Sequence, residues 1–190
     1  GDALFTPVRQ EAVLTVLHLP LVYHDYTPPS VETAPDLVVT AFTINPADLV
    51  TGAPAEVSIT VQNIGNADAD AFWVDFYISP NQVPTTAGVQ WHAVCSVTPC
   101  DGIGWRVNSG LAAGETVTLT SNADSYNAAS TSWEGSLRIA GTHNFYVYVD
   151  SWNGTEAAGA VLESDETNNL ASILNRAITG GGIESRTSSS

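Results

Sequence analysis

The segment AEVSITVQN, residues 55–63, alternates apolar and polar side chains without a break. Val57, Ile59 and Val61 fall on one side, and Ser58, Thr60 and Gln62 on the other. Successive strand side chains point to opposite faces, so a period of two demands a β-strand with one face buried. AFWVDFYIS repeats the pattern, with Phe72, Val74, Phe76 and Ile78 opposed to Trp73, Asp75 and Tyr77. ETVTLTS and HNFYVYVD alternate likewise, and DLVVTAFTI reads as a strand before turn signals at Asn45-Pro46 and Thr51-Gly52. NNLASILNRAI reads as a last strand or a short helix; the strand is preferred, because a chain of hairpins offers no other place for it. Short strands separated by turns predict an all-β domain, a β-sandwich of two sheets.

Two parts of the chain break this rhythm. Residues 1–34 form an apolar arm with a Pro-rich linker, in which AVLTVLHLPLVYHDY is interrupted by Pro20 and followed by Pro28-Pro29. It is too short and too broken to span a bilayer, which needs about 20 apolar residues. Read as a strand, Leu17, Leu19, Leu21 and Tyr23 share a face; read as a helix from Glu11, it would end at Pro20. Long insertions are expected from Pro80 to Asn108 and from Ser121 to Ser136, placing Trp91, Trp105 and Trp133 in loops. Residues 179–190, ending in GGGIESRTSSS, read as a tail that is flexible or held by a partner.

The charge balance restricts partners. Five arginines face 20 acidic residues, a net charge of −15, which repels phosphate backbones and anionic lipid. Nucleic acid and membrane insertion are therefore set aside. Methionine is absent, so Gly1 reads as a processed end from which a leader was removed. Cys95 and Cys100, the only thiols, enclose a short loop that suits a local disulfide; two reduced, buried cysteines are the alternative. These features together predict a secreted or cell-surface protein.

The motifs PDLVVTAFTINPADLVTGAPAEVSITVQNIGNADADAFWVDFYI, LAAGETVTL, GTHNFYVYVD and VLESDETNN, in that order, resemble the CARDB family. This is the cell-adhesion-related domain of bacteria and archaea. The resemblance covers residues 35–178 and implies an immunoglobulin-like sandwich in a noncatalytic extracellular module used for adhesion or as a spacer. It covers neither the arm nor the full length of the two insertions.

The chemically dense stretch is DSWNGTEAAGAVLESDETNN, residues 150–169, with five carboxylates and three asparagines. Asp150, Asn153, Glu163 and Asp165 offer the hard oxygens that calcium takes, although the spacing is not that of an EF-hand loop. The competing and preferred expectation is a polar clamp of Asn63, Glu166, Asn168 and Asn169, because Asx side chains commonly cap turns and strand ends. Calcium is thus an optional ligand, and no cofactor is required. No nucleophile elbow, zinc-protease helix or phosphate loop occurs, so an enzyme is not expected. The loop tryptophans, with Trp152, could stack on surface glycans, or could cover loop cores and subunit contacts.

The arm suggests the function. Leu14, Leu17, Leu19, Leu21 and Tyr23 left in water would be an aggregation liability, whereas an extended apolar segment can add a strand to an open sheet edge. Docked in cis, it completes a monomer; docked on another copy, it builds a head-to-tail filament. The first expectation is therefore a noncatalytic structural subunit that polymerises with copies of itself through the arm. The second is a calcium- or carbohydrate-binding adhesion module of a larger surface protein.

Overall fold

The computed structural model describes residues 33–153 and 159–181. The arm residues Leu14, Leu17, Leu19, Leu21 and Tyr23 lie outside this range, as does the tail beyond 181. Eight strands run in chain order: β1 (Leu37–Asn45), β2 (Leu49–Val50), β3 (Glu56–Asn63), β4 (Phe72–Ile78), β5 (Gly102–Val107), β6 (Thr116–Thr120), β7 (Gly141–Val149) and β8 (Leu170–Thr179). Two 3-10 turns, Trp91–Val94 and Ala128–Ser130, are the only helical pieces among the described residues. A three-stranded sheet, β1-β3-β6, packs on a five-stranded sheet, β2-β8-β7-β4-β5. All neighbours are antiparallel except the short parallel pair β2 and β8.

The alternation read in β3 is the burial pattern of the strand: Val57, Ile59 and Val61 are buried, and Ser58, Thr60 and Gln62 are half-buried on the outside. Opposite them, β4 contributes Phe72, Val74 and Phe76, β5 contributes Ile103 and Trp105, and β7 contributes Phe145 and Val147. Phe76 sits at the middle of the aromatic packing. It stacks on Phe145 at 5.8 Å and meets Phe42 and Trp133 edge-on at 6.1 and 6.2 Å. The preferred strand reading of NNLASILNRAI holds, since β8 pairs along β7 from Tyr148–Leu170 to Gly141–Ile178.

The expected insertion from Pro80 to Asn108 needs correction, because Gly102–Val107 within it is strand β5. The signal was concealed by glycine. Inward positions Ile103, Trp105 and Val107 are apolar, but two of the outward ones are Gly102 and Gly104. A Cβ at Gly102 would overlap the Trp91 indole, and one at Gly104 would stand 2.8 Å from the Ser130 carbonyl. Both insertions therefore lie down on the outer face of β5, which only bare backbone permits.

Residues 80–101 form a flap over the outer face of the five-stranded sheet. Trp91 and Val94 from the flap join Tyr77 of β4 and Tyr146 and Tyr148 of β7 in a second small core. Polar bonds hold the flap in place: the Tyr77 hydroxyl donates to Val89 O at 2.6 Å, Gly88 N–H to Ser151 O at 2.8 Å and Asn81 N–H to Val94 O at 2.8 Å. The flap's far end is closed by the Cys95–Cys100 disulfide. Asp101 then forms an ion pair with Arg138, which also reaches Glu134 at 3.1 Å. Beyond the flap, the exposed part of the sheet carries a cross-strand cation–π pair, with Arg106 5.4 Å from the Trp73 ring.

Gly102→Ala should destabilise the domain by about 1–3 kcal/mol, the usual cost of overpacking, in urea unfolding followed by tryptophan fluorescence. In a Trp91→Ala background the same change should cost far less, because the colliding ring is gone. Equal costs in both backgrounds would show that the indole is not what requires the glycine.

Candidate functional site

The chain ends that flank the strands are where the polar residues gather. β1 begins beside the end of β3 (Leu37 opposite Asn63), and β7 ends beside the start of β8 (Tyr148 opposite Leu170). One end of the sandwich therefore collects residues 34–37, 63–67, 149–150 and 163–169, and the stretch 150–169 supplies its side chains.

Asn63 is fully buried. Its Oδ1 accepts the N–H groups of Asp36 and Gly65, both at 3.1 Å, and its Nδ2 donates to Ala67 O at 2.8 Å and Leu111 O at 2.9 Å. One amide thus serves four backbone groups, from the start of β1, the turn after β3 and Leu111. Asp36 accepts the Asn168 amide at 2.8 Å and the Ser164 hydroxyl at 3.1 Å. Asn169 Nδ2 donates to Glu163 Oε1 at 2.6 Å and to Val149 O at 3.3 Å, and Glu166 Oε1 accepts Glu163 N–H at 2.8 Å. The four residues expected as a clamp are thus placed at one junction between β1, β3, β7 and β8.

The four residues weighed as calcium ligands are arranged differently. Asp150 is buried, and its two carboxylate oxygens accept Ala160 N–H at 2.9 Å and Val161 N–H at 2.8 Å. Gly159, at φ +90°, passes so close that a Cβ there would overlap the Asp150 carboxyl. Asn153 Nδ2 donates to Gly159 O at 2.7 Å, closing the same excursion of the chain. Glu163 is also buried, with Oε2 accepting Leu37 N–H and Oε1 accepting Asn169. Asp165 is exposed and accepts the N–H (2.9 Å) and hydroxyl (2.6 Å) of Thr167, which lowers its pKa. Among the described residues, no three acidic, His or Cys side chains lie together as a metal site. As arranged, Asp150 and Glu163 face backbone N–H donors, a geometry that suits strand capping more than a hard cation.

Burial outweighs those donors electrostatically. It raises Asp150 to about 6 and Glu163 to about 8, partly opposed by the N–H bonds that each accepts. Tyr148 beside them is pushed up to about 12, first by burial and then by the carboxylates of Glu166, Glu163 and Asp150.

The tryptophans expected in loops are mostly interior. Trp105 lies in β5, fully buried, its indole N–H donating to Thr120 O at 2.8 Å; Trp91 and Trp133 are also buried, and Trp152 is half-buried. The first three are packing residues, because the insertions fold back onto the sandwich instead of standing in solvent. One functional group was missed altogether. Asp75 alternates onto the outward face of β4, which suggests solvent, yet the flap buries it. Its neighbours Trp73 and Tyr77 on that face were the available signal, since aromatic side chains there indicate a cover.

The raised carboxyls fix a pH dependence. Folded-state values above the unfolded ones mean that the native state holds these protons more tightly, so the contribution of these groups is full below about pH 4 and is lost as pH rises. The loss runs through about 6 for Asp150 and about 8 for Glu163. Melting temperature should therefore fall between pH 5.5 and 8.5 in calorimetry, and Glu163→Gln should flatten the upper part of that slope. A wild-type melting temperature that rises over the interval would contradict the assignment.

Comparison with known proteins completes the picture. The CARDB family model matches residues 34–173. Among solved structures, the chain is similar to a CARDB domain from Pyrococcus furiosus crystallised in complex with di-metal ions. Identity is 20%, with 78% of this chain and 97% of that one covered, at a TM-score of 0.49. The solution structure of the Pyrococcus furiosus domain gives 20% identity over 77% and 96% of the two chains, at a TM-score of 0.44. A β-glucosidase from Bifidobacterium adolescentis gives 19% identity over 74% of this chain but 17% of its own, at a TM-score of 0.33. No curated protein gives a sequence match. With the family's motifs spanning β1 to β8 on an immunoglobulin-like sandwich, this chain belongs to the CARDB family of cell-adhesion-related domains.

Proposed function

We propose that the domain is a noncatalytic structural subunit of a cell-surface or secreted assembly, and that its N-terminal arm adds a strand to a neighbouring copy. The observation that carries this reading is the unequal finish of the sheet edges. At the β5 edge of the five-stranded sheet, Gly102 bridges to Ser132 and Gly104 N–H donates to Thr131. The three-stranded sheet ends on β1 and β6, which have no further strand beside them among the described residues. These edges are closed only locally. Glu163 takes the Leu37 N–H at the start of β1, and Ser125 and the Trp105 indole take Thr120 at the end of β6. The remaining backbone groups can pair with an extended segment, and the arm sequence is apolar along one face.

The acidic residues support the noncatalytic part. Hydrolytic carboxylates must face a shared cleft with one oxygen free for substrate. Asp150 and Glu163 instead engage the domain's own amides. Among the described residues, no helix is long and apolar enough to cross a membrane.

Removing residues 1–26 should leave a folded sandwich that no longer assembles in analytical ultracentrifugation and electron microscopy. Leu19→Asp should weaken assembly of the intact chain. Identical particles from the truncated chain, or a monomeric intact chain at every concentration, would end the polymer reading.

A further inference from the structure

The outer face of β4 carries a feature that neither the clamp nor the arm uses. The flap and the residue 121–136 insertion meet over β5 without closing completely. Between them lies a groove of about 430 Å³, lined by Asp75, Gln90, Trp91, His92, Ser130 and Thr131, with Ala129 at its exposed wall. The walls are fixed: the Trp91 indole N–H donates to Ser130 O at 2.9 Å, and Thr131 Oγ1 accepts Gly104 N–H at 3.1 Å. Asp75 lines the groove from β4, with its Oδ1 3.6 Å from where a Gly104 Cβ would stand.

Asp75 is 2% exposed, and its Oδ2 accepts Trp91 N–H at 3.0 Å. The neighbouring Ser151 hydroxyl is fully buried, and its interaction with the Asp75 carboxyl favours the ionised form. A carboxylate has about four acceptor positions, so with the Trp91 N–H and the Ser151 hydroxyl as donors Asp75 has acceptor capacity left over. Burial raises its pKa to about 7, opposed by the Trp91 N–H and the Ser151 hydroxyl, and a cation beside it would favour the ionised form. The other lining groups offer amide, hydroxyl and imidazole acceptors, and the indole supplies a π-face or edge. No Lys or Arg lines the groove, and the chain as a whole carries a net charge of −15.

We propose that this groove is a binding site for a primary alkylammonium group, with the Asp75 carboxylate as its counter-ion and Gln90, Ser130 and Thr131 as hydrogen-bond acceptors around it. Such a group occurs on a free amine and on a lysine side chain of another protein. The chain itself has no lysine, so a partner must supply it. The site is separate from the strand-end junction and from the open β1 and β6 edges, so its success or failure is independent of arm-mediated assembly.

Saturation-transfer NMR with the full chain above pH 8 tests the assignment, using propylammonium and N-acetyl-lysine methylamide as millimolar probes and propanol, glucose and calcium as competitors. Transfer to the ammonium probes, with none to propanol and no competition by glucose or calcium, is the expected result. Preference for the lysine derivative points to a protein partner, and preference for propylammonium to a free amine. Asp75→Asn should weaken binding at least tenfold. Ala129→Trp, which fills the groove from its exposed wall, should abolish binding even if the first variant folds poorly. Absence of transfer to either ammonium probe, equal transfer to propanol, or displacement by glucose or calcium would overturn the proposal, as would undiminished binding in Ala129→Trp.

Discussion

The Glu163 carboxyl holds the two sheets together at one end. It receives the Leu37 N–H from the first strand of one sheet and the Asn169 amide from the threshold of the last strand of the other. Because Leu37 is itself a fully buried core residue, fixing its backbone sets where β1 enters the sandwich. The remaining polar side chains extend that junction. Asn63 organises the β3–β4 turn, Asp36 ties residues 164 and 168 to β1, and Asp150 returns the chain after β7. A buried carboxyl is costly unless hydrogen-bonded, and here the burial outweighs its donors, which makes the junction favour protons.

A second constraint is that the part of the five-stranded sheet under the flap is buried on both faces. An antiparallel sheet ordinarily leaves one face to water. Here the outward face carries Trp73, Tyr77, Tyr146 and Tyr148, and residues 80–101 cover the tyrosines. The disulfide, the Asp101–Arg138 ion pair and the Tyr77 hydroxyl hold that cover, while Gly102 and Gly104 make room for it. The price of this arrangement is a buried Asp75, and the groove beside it follows from the same geometry.

Much of this was legible in the sequence, for a definite reason. Where a strand has one wet face, as β3 has, burial writes itself as alternation. The gathering of Asn63, Asn168 and Asn169 near strand ends was legible because asparagines beside turn signals commonly cap them. Strand β5 was not, because Gly102 and Gly104 record a close packing partner and not a solvent face. The roles of Glu163 and Asp150 were also hidden. Leu37 and Glu163 are 126 residues apart, and a carboxylate bonded to a distant backbone N–H reads in sequence like a free cation ligand.

The central claim is that the carboxylates of residues 150–166 hold backbone amides in place without needing a metal. Native-state hydrogen exchange of the Leu37, Ala160 and Val161 amides tests it most directly. The account predicts slow exchange at all three, equal in chelator and in excess calcium. Rapid exchange in chelator that calcium slows would contradict it and would make the strand-end junction a metal site.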